Sequence, residues 1–214
     1  GNHYLTLVDL PGVGESIIRD GEYRELYQTL LPQLDMVLWV LKADDRAFSV
    51  EEQFYQDVFA PYSGSLPSVL WVINQVDKTE PAEQWNWSSS QPSALQAERI
   101  AQKLQSVARQ LGITETDILP VSVRGRYRLS RLVESMITRL PKQARSPFVP
   151  HLHKRYRTEM IVSTASGSFG DAVVDVINKV IELAPLPHMA RTVLQAATHS
   201  VARAARSVWS FFFG

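Results

Sequence analysis

The sequence contains no cysteine, which excludes a disulfide framework and any metal site built from thiolates. A chain that needs no disulfide is expected in a reducing compartment, so we predict a cytoplasmic location. The sequence also lacks an apolar run long enough to cross a bilayer as a helix, and its first residues do not resemble a secretory signal. The first residue is Gly1 instead of Met, which indicates either a fragment of a longer chain or a processed one.

A net charge is absent too, because 22 basic residues balance 22 acidic ones among the 214 residues. The two signs are nonetheless separated along the chain. Residues 1–141 carry 13 Lys and Arg against 18 Asp and Glu, whereas residues 142–214 carry 9 against 4. This change of sign indicates two regions with different partners.

Apolar runs and amphipathic stretches alternate up to about residue 140, which is typical of an α/β sheet. The run at 35–43 is nearly all apolar, as in a parallel strand that is covered on both faces. Ser49 and Glu52 stand at capping-box spacing and predict the start of one helix. Gly112 can end another predicted helix, the one directly before this glycine. Strands are predicted at Tyr4–Asp9, 35–43, 68–73 and 117–123, with helices between them and an irregular surface insertion at 79–94.

Three prolines, Pro141, Pro147 and Pro150, predict a linker at 141–150. Residues 1–140 would then form the α/β domain, and residues 151–214 a helical C-terminal region.

The C-terminal region has apolar residues at helical spacing in two segments, Val173–Ile181 and Met189–Val208. The second segment also carries Arg191, Arg203 and Arg206. It is either a basic amphipathic helix that binds a membrane or a protein partner, or half of a helical hairpin that packs on its own domain.

The first of three chemical motifs is Asp9-Leu10-Pro11-Gly12, directly after an apolar run. A carboxylate at Asp9 can hold Mg²⁺ through water. Gly12 allows its backbone N–H to approach a γ-phosphate, because glycine has no side chain in the way. The same four residues also make an ordinary turn.

The second motif is Asn74-Gln75-Val76-Asp77, which follows the predicted strand at 68–73. A carboxylate at Asp77 can accept hydrogen bonds from both N1 and N2 of guanine, whereas adenine offers the opposite pattern. Asn74 can tie neighbouring loops together. An Asx turn that closes a strand is the alternative interpretation.

The third motif, Pro120-Val121-Ser122-Val123-Arg124, again stands at a strand end. Backbone N–H groups at Ser122 and Val123 could meet the carbonyl oxygen of guanine. Ligands bind at this edge of open α/β sheets, and so the three motifs are expected to lie together.

With these motifs in this order, residues 4–140 resemble the translation-factor-like small GTPases of the Era-like branch, and within it the prophage-encoded YeeP/YfjP group. The resemblance implies a truncated Ras-like, Rossmann-type P-loop GTPase sheet that binds GTP or GDP with Mg²⁺. It places Asp9 at the Mg²⁺ and Gly12 at the γ-phosphate. The base would be contacted by Asn74, Gln75, Asp77, Ser122 and Val123.

The sequence departs from the family pattern in three ways. Gln75 stands where the family usually has Lys, so stacking on the base should weaken. Val13 replaces the water-positioning Gln of Ras-like proteins. No Gly-x-x-x-x-Gly-Lys-Ser/Thr occurs in the 214 residues, so we expect slow or absent GTP hydrolysis. Such a motif encoded just upstream would restore the ordinary enzyme.

By the same resemblance, the missing segment would include the first strand of the sheet. The strand at Tyr4–Asp9 is therefore expected either to pair directly with Met36–Leu41 or to fray, because unpaired backbone groups cost free energy.

A different class of function stays open: a non-catalytic interaction protein, derived from a GTPase, whose C-terminal helices dock on a membrane, a ribosome or a protein. The segment Arg124–Arg131 could contact RNA phosphates in that case. The alternative is that this segment is a solvated loop and the start of a helix.

Overall fold

A computed structural model describes residues 5–10, 17–45, 48–59, 67–183, 198 and 202–207, without the side chains of 17–22, 176–177 and 180–183. The chain divides into two compact units, one formed by Val8–Leu132 and one that combines Gly1–Leu7 with Val133–Gly214. The first unit contains strands and helices, which confirms the predicted α/β class.

The sheet of the first unit has three parallel strands in the order β1-β2-β3. Trp39 pairs with Trp71, and Trp71 pairs in turn with Ile118, so β2 is the central strand. All four residues from Leu70 to Ile73 are buried, as expected for a parallel strand that is covered on both faces. The strands span Met36–Lys42 (β1), Ser68–Asn74 (β2) and Ile118–Pro120 (β3).

The helices lie between the strands along the chain, as predicted. Helix α1 ends at Leu30, where a short 3₁₀ turn at Leu31–Gln33 includes Pro32. The main aromatic contact of the core is the stacking of Trp39 on Trp71, with ring centroids 4.7 Å apart. The helices are α1 (Ile17–Leu30), α2 (Ser49–Val58), α3 (Ala94–Leu111) and α4 (Leu129–Arg139).

The capping box of this unit is at α3 and not, as predicted, at α2. The Ser93 side chain accepts a hydrogen bond from the backbone N–H of Gln96, and the Gln96 side chain accepts one from Ser93. Helix α2 begins at Ser49 with Phe48 as its N-cap, and Phe48 has no side-chain acceptor. The prediction from Ser49 and Glu52 was therefore right about the helix. It was wrong about the N-cap, which lies one residue earlier than predicted.

The strand predicted at Tyr4–Asp9 is wrong for the described residues, because Leu5–Asp9 have no regular structure and pair with no strand. Of the two alternatives for this segment, pairing with Met36–Leu41 is wrong, because the described sheet consists of β1, β2 and β3. The unpaired Leu5–Asp9 agree with the other alternative, that the strand frays. The prediction that both faces of β1 are covered fails on one face, where Leu38 and Val40 are exposed. An apolar run makes a strand only when a partner supplies the ladder of hydrogen bonds.

In the second unit, the predicted linker at 141–150 contains helix α5, Lys142–Phe148, and a 3₁₀ turn at Val149–His151. The Arg145 side chain donates hydrogen bonds to the carbonyl oxygens of Thr138 and Leu140, both at 2.8 Å. These carbonyls at the end of a helix need such donors. The prolines are accommodated because Pro141 precedes the helix and Pro147 lies near its end.

Helix α6, Glu159–Leu183, follows in the same unit, and residues 202–207 are helical as well. Gly170 brings the two close together, since a Cβ there would lie 3.0 Å from the carbonyl oxygen of Ala202. Ile161, Ala165 and Ala202 are buried, which is the packing of a helical hairpin. Most of the predicted helix at 189–208 lies outside the described residues. No described helix is long and apolar enough to cross a membrane.

The two serines at the helix starts provide a matched test of the capping box. Ser93→Ala removes the acceptor for the Gln96 N–H and should lower the free energy of unfolding by about 1 kcal/mol. Ser49→Ala removes no cap from α2 and should leave it unchanged, because alanine also favours a helix. Urea denaturation of both variants measures the difference. Equal losses in the two variants would contradict the assigned caps.

Candidate functional site

The carboxyl ends of β2 and β3 are joined by backbone hydrogen bonds. The N–H of Val121 donates to the carbonyl oxygen of Ile73 at 2.8 Å, and the N–H of Val76 donates to that of Val121 at 3.2 Å. These bonds extend the parallel pairing past the strand ends. As a result, the second and third sequence motifs lie side by side, as predicted.

Asp77 is the buried acid of this edge and lies in a 3₁₀ turn, Val76–Lys78, with only 5% of its surface exposed. The Ser122 hydroxyl donates to Asp77 Oδ1 at 2.5 Å and accepts from the backbone N–H of Gly125 at 2.7 Å. The bond from Gly125 therefore fixes the Ser122 hydroxyl, and the hydroxyl holds the carboxylate. Asp77 Oδ2 accepts no hydrogen bond from a described residue, so it is available to a ligand.

Asn74 ties the two loops together, as the sequence predicted. Its Oδ1 accepts from the backbone N–H of Gln75 at 2.7 Å and, more weakly, from that of Val123 at 3.4 Å. The first of these bonds accompanies a left-handed backbone at Gln75, where φ is 64°. Asn74 therefore shapes the turn that brings Asp77 to the sheet edge.

The loop after β3, which we call the 122–127 loop, has two backbone N–H groups with a weak hydrogen bond or none. Ser122 and Tyr127 form an antiparallel bridge that closes the loop. The Ser122 N–H, which was expected to meet the guanine carbonyl oxygen, donates instead to the Tyr127 carbonyl oxygen at 3.3 Å. The N–H of Val123 is held only by the 3.4 Å bond to Asn74, and the N–H of Arg124 has no partner among the described residues. Val123 is 61% exposed. A ligand carbonyl oxygen could therefore accept from one or both N–H groups.

Gln75 has its side-chain oxygen buried, and Oε1 finds no hydrogen-bond donor within the part of the chain that the structure describes. An unpaired buried amide oxygen costs free energy. The predicted contact of Gln75 with a base is not visible in this arrangement and stays a prediction.

Trp85 packs against the 122–127 loop. The sequence analysis did not predict this contact. Its ring is 3% exposed and meets Tyr127 edge to face, with centroids 5.6 Å apart. A Cβ on Gly125 would lie 2.8 Å from both the Trp85 ring and the Ser122 hydroxyl. The insertion at 79–94 is irregular, as predicted, but it packs this tryptophan into the core. The sequence did carry a signal for this packing, since two tryptophans, Trp85 and Trp87, stand in a polar segment.

Only Asp9 and Leu10 of the first motif are described, and no hydrogen bond or ion pair joins them to Asn74, Asp77 or Ser122. Asp9 is exposed and lies near Tyr27, whose pKa is raised by burial and, to a smaller extent, by the Asp9 charge. Gly12 and Val13 fall outside the described residues. Among the residues that are described, no group of three or more His, Cys, Asp or Glu side chains could hold a metal ion. The assignment of Asp9 to Mg²⁺ and of Gly12 to a phosphate stays a prediction.

The tight packing at Gly125 gives a test of how the loop is held. Gly125→Ala would push a methyl group against Ser122 and Trp85 and should destabilise the protein by about 1–3 kcal/mol. Gly167→Ala is the control, because a Cβ there meets nothing within 4 Å and alanine favours its helix. Thermal unfolding should show a lower Tm for the first variant only. A Gly125→Ala protein as stable as the Gly167→Ala protein would contradict this packing.

No protein-family model matches the sequence, and no solved structure does either. Three Escherichia coli K12 proteins are similar to it. YkfA is 41% identical and YfjP 39% identical over 213 residues, which cover 100% of this chain and 72% of each relative. YeeP is 40% identical over 187 residues, or 87% of this chain and 77% of YeeP. Their names state no activity. The chain belongs to the family that includes YkfA, YfjP and YeeP.

Proposed function

We propose that the carboxyl edge of β2 and β3 binds the guanine base of GDP or GTP, as in an Era-like GTPase. The observation that carries the proposal is the buried Asp77 carboxylate, held at Oδ1 by Ser122 and open at Oδ2. It lies beside two weakly engaged N–H groups, at Val123 and Arg124. Acceptors and donors therefore stand next to each other at one edge of a parallel sheet, where ligands of α/β proteins bind.

Guanine fits this arrangement of polar groups. Its N1–H and its exocyclic N2 amine are donors, and the Asp77 carboxylate is an acceptor only. Its O6 carbonyl oxygen would accept from the N–H groups of Val123 and Arg124. Adenine places an acceptor at N1 and an amine at position 6, which would leave both sides unpaired. Unpaired polar groups in a closed site account for strong discrimination between bases.

We propose that contacts to the phosphates contribute little to nucleotide binding by these 214 residues. They contain no Gly-x-x-x-x-Gly-Lys-Ser/Thr, the loop that supplies backbone donors and a lysine to the phosphates. Asp9 would still attract Mg²⁺, and Gly12 could approach the terminal phosphate. The proposal is therefore recognition of the base, with GTP hydrolysis slow or absent.

The base specificity of Asp77 can be inverted by one substitution. Asp77→Asn replaces an acceptor by a side-chain amide that also donates, and xanthine carries a carbonyl oxygen where guanine has its N2 amine. Calorimetric titration should show GDP binding weakened at least tenfold, because hydrogen bonds to a charged group contribute about 1.5–3 kcal/mol. Xanthosine diphosphate should gain affinity in the same variant.

Asp44→Asn is the control for this experiment. Asp44 follows β1 and is half exposed, so the loss of its charge should leave GDP affinity within about twofold. Equal losses in the two variants would show a general effect of charge and contradict base recognition. If the wild-type protein gives no heat with millimolar GDP, the alternative of a non-catalytic interaction protein replaces the proposal.

A second measurement tests whether the base, and not the phosphates, supplies most of the binding free energy. Without a phosphate cradle, guanosine, GMP and GDP should bind the 214-residue protein with affinities within about tenfold of each other, since charge-assisted phosphate contacts are missing. Competition titrations against a fluorescent guanosine would compare them. GDP that binds a thousandfold more tightly than guanosine would contradict this division.

A further inference from the structure

We propose that Trp87 and the three arginines Arg124, Arg126 and Arg128 form a binding surface for single-stranded nucleic acid. We call these four residues the Trp–Arg surface. They come from two parts of the first unit, the insertion at 79–94 and the segment 124–128. The proposal does not rest on guanine recognition, because no hydrogen bond or ion pair joins these side chains to Asp77 in the described part of the chain.

The first observation is a local concentration of positive charge. From Ile118 to Val133 the sequence has four arginines and no Asp or Glu. Arg124, Arg126 and Arg128 are exposed, and none of them forms an ion pair with an acidic side chain among the described residues. Unneutralised guanidinium groups attract phosphates, because binding releases the counterions of the nucleic acid.

The second observation is an aromatic ring among these charges. Trp87 is 51% exposed, and the Arg124 guanidinium lies 4.9 Å from the centre of its ring. Arg128 lies over Tyr127 in the same way, at 4.9 Å. Indole rings and guanidinium planes are the surfaces on which unpaired bases stack.

The two observations together favour one kind of polymer. A single strand presents unpaired bases and phosphates along its length, so it can use the rings and the charges at once. In a duplex the base faces are already stacked, and an acidic peptide offers charge without bases. The interleaving of ring and cation therefore fits a single strand better than either alternative.

The third observation is that the surface is held by packing. The Ser122–Tyr127 bridge closes the loop, and Gly125 packs against Ser122 and Trp85. Arg126 and Arg128 both have left-handed backbones, with φ of 53° and 55°, which are uncommon outside glycine. A loop held in this way loses less entropy on binding than a free one.

The test uses the full 214-residue protein and a fluorescein-labelled oligouridylate, with fluorescence anisotropy over a series of salt concentrations. Trp87→Ala should weaken binding about tenfold, because the base loses its stacking face, and leave the salt slope unchanged. Arg126→Ala should weaken binding and reduce the slope of log K against log salt by about 0.7 for each phosphate that the protein no longer neutralises. Oligothymidylate should bind similarly, since both ligands offer phosphates and stacking faces.

Two further variants keep the outcome interpretable. Trp87→Phe retains an aromatic face and should bind within about threefold of the wild type. Arg203→Ala removes an exposed arginine from the second unit and should have no effect. An excess of guanosine should not displace the oligonucleotide from the wild-type protein, which separates this proposal from guanine recognition.

The proposal is overturned if the wild-type protein does not bind the oligonucleotide at low salt. It is also overturned if Trp87→Ala binds as well as the wild type, or if Arg126→Ala and Arg203→Ala weaken binding equally. The last result would mean attraction by charge alone. A protein that binds polyglutamate as tightly as the oligonucleotide would point to an acidic peptide instead and would equally exclude the proposal.

Discussion

The first unit depends on the hydrogen bond from the Ser122 hydroxyl to the Asp77 carboxylate. Asp77 is 5% exposed and Ser122 is fully buried, so an unpaired carboxylate at this place would be costly. The bond also joins the segment after β2 to the segment after β3. Gly125 then donates its backbone N–H to the Ser122 hydroxyl, and the Trp85 ring packs against Gly125. A carboxylate is thus stabilised in the core, at the carboxyl edge of the sheet.

The 122–127 loop has two sides with different chemistry. Ser122 and Val123 begin the loop next to Asn74 and Asp77, and this is the side that we propose to bind guanine. The arginines follow within the same few residues and stand beside Trp87. The insertion at 79–94 supplies both the buried ring under the loop and the exposed ring beside it. One short loop and one insertion therefore account for the core support and for the two proposed ligand surfaces.

The sequence predicted the three strands of the sheet and the meeting of Asn74, Asp77 and Ser122, because these depend on local patterns and on one topological rule. Apolar runs make parallel strands, and parallel strands bring their carboxyl ends to one edge. The failures have two causes. The apolar run at Leu5–Asp9 found no partner among the described strands, which a local pattern does not reveal. The helix within 141–150 was missed because its prolines indicated a break, although Arg145 binds the nearby carbonyl oxygens of Thr138 and Leu140. Trp85 was missed because an irregular segment has no period that reveals which ring points inward.

The measurement that tests the central claim most directly is a crystal structure of the protein with bound GDP. The account predicts guanine N1 and N2 at hydrogen-bonding distance from the Asp77 carboxylate, about 2.7–3.2 Å. It also predicts the Ser122–Asp77 bond intact and O6 next to the N–H groups of Val123 and Arg124. A nucleotide bound elsewhere, or an Asp77 side chain turned away from the base, would contradict the account.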